Sequence, residues 1–123
     1  MTAKKTVILG YDAVSPLGAD MDSQWRRAVN GESGIDRLTR FEVTPEFPVK
    51  IAGQVADVDV APYPFLSPRN LAHWTSPLFK YAMLVVHRAL ERSGMDITPD
   101  LAPRVAVTFS SAVGGQDAVL QAD

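Results

Sequence analysis

The sequence predicts an α/β fold with parallel strands, and three observations carry that reading. Residues 6–9 and 105–109 are short, continuous, β-branched and apolar runs, the pattern of strands buried on both faces of a parallel sheet. Residues 77–93 carry a broad apolar stripe at helical spacing. The order strand, helix, long loop, helix, strand is that of layered α/β architecture. Two parallel strands do not form a sheet that stands alone. Residues 1–123 are therefore expected to be the first part of a larger domain, with no separate second domain.

Taken in order, Val7-Ile8-Leu9 forms the first run and Gly10 stops it. A loop with Pro16 and Gly18 follows. Asp20 or Asp22 is placed to cap the next helix. Met21, Trp25, Ala28 and Val29 recur at helical spacing along it, and Gly31 supplies its stop. Residues 36–72 are irregular and proline-rich, with Pro45, Pro48, Pro62, Pro64 and Pro68, and residues 51–55 read as an extended piece. So long a structureless segment inside a compact domain is usually functional or bound to a partner.

The clearest helix comes next. Ser76 is its N-cap and Pro77 its first residue. Leu78, Tyr81, Ala82, Val85, Val86, Ala89 and Leu90 make the stripe, Lys80, Arg88, Glu91 and Arg92 lie outside it, and Gly94 ends the helix. Pro99 and Pro103 mark a loop before the second apolar run, residues 110–115 turn the chain, and residues 116–120 start another helix.

Composition bounds the function classes. The 123 residues are 46% hydrophobic and 21% charged, which is globular and far from the disordered regime. A formal net charge of -2 argues against a generic nucleic-acid or anionic-membrane surface. With no cysteine, disulfides, thiolate metal sites and a cysteine nucleophile are excluded within these residues. This fits a reducing, cytoplasmic setting. Lys4 and Lys5 precede only a short apolar run, too short for a signal-peptide core. No run approaches the ~20 apolar residues that span a bilayer.

Several motifs fail on spacing. A dinucleotide fingerprint needs three closely spaced glycines, but the glycine after Gly10 is Gly18, and Asp12 between them would repel phosphate. Ser110 and Ser111 precede Gly114 and Gly115, but neither serine has glycine two positions to each side, as a nucleophile elbow requires. His73 and His87 are the only histidines, without a partner at metal-ligand spacing, and read as satisfied or solvated side chains. No metal site is expected. Gly114-Gly115 admits two readings. Paired glycines between strand and helix allow positive φ and close approach of another group, so either a substrate or subunit presses there or the turn is simply tight.

Together these segments resemble the N-terminal part of a β-ketoacyl-acyl carrier protein synthase, the elongating condensing enzyme of the thiolase-fold family. The residues that carry the resemblance are Val7-Ile8-Leu9-Gly10, Ser15-Pro16-Leu17-Gly18, Trp25, Gly31-Glu32-Ser33-Gly34-Ile35, Phe41, Ile51-Ala52-Gly53, Ala89-Leu90 with Ser93-Gly94, and Ser110-Ser111-Ala112-Val113-Gly114-Gly115. They stand in the family's order at about its spacing across nearly the whole chain. Ser15-Pro16-Leu17-Gly18 makes the chain look closer to discrete bacterial synthases than to multidomain polyketide synthases.

The resemblance implies a thiolase-like fold and a decarboxylative Claisen condensation in fatty acid or polyketide synthesis. An acyl chain carried on acyl carrier protein phosphopantetheine moves to an enzyme cysteine. Malonyl-carrier protein then loses carbon dioxide, and its carbanion attacks the thioester. The family uses a low-pKa cysteine at a helix start, two histidines and backbone N–H donors for the oxyanion. It places those residues after Asp123, so none of the catalytic residues is expected in this chain, and no cofactor is expected to be bound. The implied partners are acyl carrier protein and a second copy in a homodimer, or a ketosynthase-like heterodimer.

Two features carry over residue by residue. The residue before the double glycine lines the family's acyl pocket, which assigns Val113 with Gly114 and Gly115 to that pocket. A basic cluster before the long helix docks the acidic carrier protein. Arg69 matches it, His73 matches weakly, and Ala72 stands where a basic residue is frequent. Asp12 replaces a common glycine, and Trp74-Thr75 replaces a common Met-Asp. These departures mark a divergent member. The alternatives are a non-catalytic partner subunit that sets chain length and a free-standing α/β interaction module.

Overall fold

The structure, a computed structural model, describes residues 5–73, 76–111 and 114. The chain divides into two compact units, residues 12–59 and a second made of 1–11 with 60–123. The predicted helix at residues 116–120 lies outside the described residues.

Residues 12–59 hold α1 (Met21–Val29) and a hairpin of β1 (Ile35–Arg37) and β2 (Ile51–Gly53). Of the two candidate caps, Asp20 is the one used. It is extended (φ -152°) and its carboxylate accepts from the Ser23 N–H at 2.9 Å. Gly31 follows the helix at φ 71°. The strands pair antiparallel, with Ile35 opposite Gly53, Asp36 opposite Ala52 and Arg37 opposite Ile51. Lys50 folds the intervening loop back by donating to the carbonyls of Thr44 (2.5 Å) and Pro45 (3.0 Å). The rings of Phe41 and Phe47 meet edge to face at 5.5 Å within the same loop.

This unit is assembled around Pro16. The Ser15 and Gly18 backbones exchange two hydrogen bonds at 3.0 Å, closing a tight turn over Pro16 and Leu17. Gln24 on α1 pins the turn: its amide donates to the Ala13 carbonyl at 2.7 Å and accepts from the Ser15 hydroxyl at 2.8 Å. Arg27 Nη1 donates to the Leu17 carbonyl at 2.6 Å. A Cβ on Gly34 would lie 2.8 Å from the Pro16 carbonyl carbon, and one on Gly53 would lie 3.0 Å from Pro16 Cγ. The hairpin therefore seats on the proline through two positions without side chains.

The second unit is organised by α3 (Pro77–Ser93), with a 3-10 turn (Pro64–Leu66) and the short α2 (Pro68–Leu71) before it and another 3-10 turn (Ala102–Arg104) after it. Its ends are those the sequence predicts. Ser76 is the N-cap, Pro77 the first residue, and Gly94 ends the helix in the left-handed region at φ 65°. Leu84 on α3 and Leu66 in the first 3-10 turn are fully buried, each at 0% exposure. Arg88 Nε donates to the Tyr63 hydroxyl at 2.9 Å and ties that turn to the helix. Gly10 lies against the end of α3, where a Cβ would run into the Ala89 carbonyl and stand 2.9 Å from the Ser93 nitrogen.

The strand expectations need correction. Residues 6–9 and 105–109 are not in a ladder, and the sheet among the described residues is a two-stranded antiparallel hairpin rather than a parallel one. The reason is physical: a strand exists through its hydrogen-bonded neighbours, and the two runs share no backbone hydrogen bond. Ile8 and Val107 are 85% and 79% exposed as a result. The Pro-rich segment 36–72 is in turn more ordered than expected. It holds β2 at the predicted extended piece, and the pairing of that strand with β1 was not anticipated. The apolar side of α1 is also uncovered, with no buried residue and Trp25 68% exposed.

Candidate functional site

The candidate site begins at the entry to α3. Ser76 is almost completely buried, and its hydroxyl accepts from the Leu78 N–H at 3.4 Å. That bond and Pro77 fix the direction of the first turn. Leu78 projects from this turn toward the glycine turn. A Cβ on Gly114 would overlap Leu78 Cδ2 and Ser111 Oγ, and would stand 3.0 Å from Ser111 Cβ. Gly114 is therefore packed between Leu78 and Ser111 of the same chain. The other two predicted pocket residues, Val113 and Gly115, lie outside the described residues.

An apolar groove of about 460 Å³ runs along α3. Phe79, Met83 and Val86 line it from the helix, with Phe65, Val107 and Phe109 from the flanking segments. Phe109 belongs to the run that leads into the Ser110-Ser111 turn, so the groove and the glycine turn are consecutive in the chain.

The two predicted docking residues stand four positions apart in the segment before α3. Arg69 is exposed on the four-residue α2. His73 is also exposed, and lines a cleft of about 250 Å³ with Phe65, Asn70, Leu71 and Met83, which Arg69 does not line. His87 is partnered: its ring lies 4.7 Å from that of Phe65 and 5.5 Å from that of Tyr63, and Nε2 is 3.4 Å from Glu91 Oε1. That agrees with its reading as a satisfied histidine.

Sequence reasoning missed a polar cleft of about 720 Å³ in the other unit, lined in part by Arg27, Arg37 and Arg40. Gln54 builds it. Its amide oxygen accepts from the Thr39 and Arg40 N–H groups at 3.1 and 3.2 Å, and its nitrogen donates to the Arg37 carbonyl at 2.9 Å. The Arg40 guanidinium donates to the Val55 carbonyl. Asp36 and Asp57 line the same cleft, and Arg27 is paired with Glu32 at 2.6 Å. The arginines are spread over 14 positions of sequence, and no local motif announces them.

No described helix is long and apolar enough to cross a membrane. Among the described residues, no group of three His, Asp or Glu side chains is placed to hold a metal ion.

Comparison with known proteins places these features in a family. The chain is similar to 3-oxoacyl-[acyl-carrier-protein] synthase 2 of Coxiella burnetii, with 36% identity over 115 residues covering 94% of this chain and 27% of that protein. It is 32% identical over 119 residues to the Vibrio harveyi protein of the same name, covering 97% and 28% of the two chains. The Staphylococcus aureus protein is 29% identical over 114 residues, covering 93% and 27%. The chain thus spans about a quarter of the length of these relatives. The family described as the N-terminal domain of β-ketoacyl synthases matches residues 3–123, and the chain belongs to that family.

Proposed function

We propose that these residues serve as the N-terminal segment of a 3-oxoacyl-acyl carrier protein synthase with a thiolase-like fold, working as a homodimer in the cytoplasm. The observation that carries this reading is the family match over residues 3–123. The relatives' name supports it: each is a 3-oxoacyl-[acyl-carrier-protein] synthase.

In the proposed reaction a cysteine thiolate takes the acyl group from the carrier protein's phosphopantetheine, releasing the carrier thiol. Malonyl-carrier protein then loses carbon dioxide. The electron pair left on its α-carbon forms the new carbon–carbon bond at the acyl carbonyl and expels the enzyme thiolate. This chain has no cysteine, so it supplies binding and shape rather than the nucleophile. Val113, Gly114 and Gly115 form the floor of the acyl pocket, where a β-branched side chain limits chain length by its volume. Arg69 and His73 meet the acidic carrier protein, an attraction that acts mainly on the encounter rate.

The test uses the full-length gene product with acyl-carrier proteins loaded with saturated chains of increasing length. Release of carbon dioxide and formation of 3-oxoacyl-carrier protein are expected, and the Val113→Phe variant should accept shorter chains. A protein that makes no product alone but shifts the chain length made by an active synthase would be a partner subunit instead. An unchanged chain-length profile for Val113→Phe would remove the pocket assignment.

A further inference from the structure

We infer that Arg88 is a positioning residue for carrier-protein docking: through Tyr63 it sets where Arg69 stands. The inference rests on the reading of Arg69 as a docking residue. Arg69 sits on α2, which has only four residues. A helix that short is not stable by itself in water. Its order comes from the turn before it. The Tyr63 carbonyl accepts from the Leu66 N–H at 2.8 Å, and the Pro64 carbonyl from the Ser67 N–H at 3.2 Å. The Ser67 and Pro68 carbonyls then accept from Leu71 and Ala72, each at 2.9 Å. The Asn70 side chain reaches back to the Phe65 carbonyl at 3.1 Å. These overlapping bonds join residues 63–72 into one short rod, so a displacement at Tyr63 carries Arg69 with it.

The rod is fastened to α3 at its first turn. Arg88 Nε donates to the Tyr63 hydroxyl at 2.9 Å, and the guanidinium carbon stands 5.4 Å from the centre of the Tyr63 ring. The His87 ring meets those of Tyr63 and Phe65 at 5.5 and 4.7 Å, and Leu66 is fully buried. Apolar burial holds the turn against the helix but is non-directional. A hydrogen bond is directional, so the bond from Arg88 fixes the angle at which the rod leaves α3. Arg88 thus acts on the carrier protein through Arg69, without touching it.

The experiment measures the Kd of the full-length protein for octanoyl-acyl carrier protein and, as a probe without the acidic surface, for octanoyl-pantetheine. Arg69→Ala should weaken carrier-protein binding about tenfold, by loss of the complementary charge. Tyr63→Phe deletes one hydrogen bond and no charge, and should weaken it about threefold. Arg88→Lys keeps the charge but gives up the fixed guanidinium geometry, and should weaken it to a similar extent. Octanoyl-pantetheine binding should be unchanged in all three. Added to Arg69→Ala, Tyr63→Phe should have no further effect, because it acts through Arg69. If Arg69→Ala weakens carrier-protein binding while Tyr63→Phe and Arg88→Lys do not, the inference falls and the docking assignment stands. If the unaltered protein does not bind the carrier protein, or Arg69→Ala leaves the Kd unchanged, both fall. A Tyr63→Phe protein with a lowered Tm and an unchanged carrier-protein Kd, an equal loss of octanoyl-pantetheine binding, or full additivity with Arg69→Ala would each overturn the inference.

Discussion

Gly34 lies against the backbone of Pro16, so closely that a Cβ at residue 34 would be 2.8 Å from the Pro16 carbonyl carbon and 2.9 Å from the Leu17 nitrogen. Both atoms belong to backbone already fixed by the paired Ser15 and Gly18 hydrogen bonds. A methyl group cannot be accommodated by rotating a side chain. Gly31 is a glycine for a different reason: φ is 71°, and nothing stands within 4 Å of a Cβ there.

The two glycines therefore make opposite predictions. Gly34→Ala forces the hairpin off Pro16 and should destabilise the full-length protein by about 1–3 kcal/mol, the usual cost of overpacking. Gly31→Asn should cost only a few tenths of a kcal/mol, roughly, because asparagine tolerates the left-handed region. Denaturant midpoints of the two variants check this. Equal losses would mean that the contact with Pro16 is not what residue 34 supplies.

Local signals made the helices legible, and non-local ones were lost. Asp20, Ser76, Pro77 and Gly94 mark helix ends through interactions within a few residues of themselves. Gly10, Gly34 and Gly53 owe their identity to Ala89 and Pro16, far away in sequence, so their roles emerge only from packing. The strands show the same division: residues 105–109 have strand composition, but composition does not supply a ladder partner. At the site, the paired glycines were readable as a turn, whereas the identity of Gly114's neighbour Leu78, 36 positions away, was not. The arginine cleft had no sequence signature because Gln54 assembles it across 17 positions, from its own to that of Arg37.

Gln24 offers a second test. One side chain makes two hydrogen bonds, to the Ala13 carbonyl and from the Ser15 hydroxyl, and so holds the turn over Pro16 to α1. Removing it leaves two part-buried groups without that partner. Gln24→Ala should cost about 1–3 kcal/mol, and Gln24→Glu should also destabilise, because a carboxylate accepts and cannot donate to the Ala13 carbonyl. Ser15→Ala combined with Gln24→Ala should cost less than the sum of the two single changes, since both delete the same bond. Full additivity in urea unfolding would show that the pair does not act as one unit.

The 123-residue chain by itself buries little apolar surface. Among the described residues, Leu66 and Leu84 are the fully buried large side chains, while Ile8, Val107 and Trp25 are 85%, 79% and 68% exposed. Complete burial of one such side chain contributes about 1.5–3 kcal/mol. Ordering one residue of backbone costs about 1–2 kcal/mol. Two buried leucines and a hairpin of two three-residue strands cannot offset the ordering of so many residues. The isolated polypeptide should therefore melt broadly, bind a hydrophobic dye strongly and show little protection from hydrogen exchange outside α3. The exposed runs at 7–9 and 105–109 should gain protection in the full-length protein, where ladder partners would convert them to strands. A sharp, reversible, monomeric transition of the isolated chain without dye binding would favour the free-standing interaction module over the synthase segment.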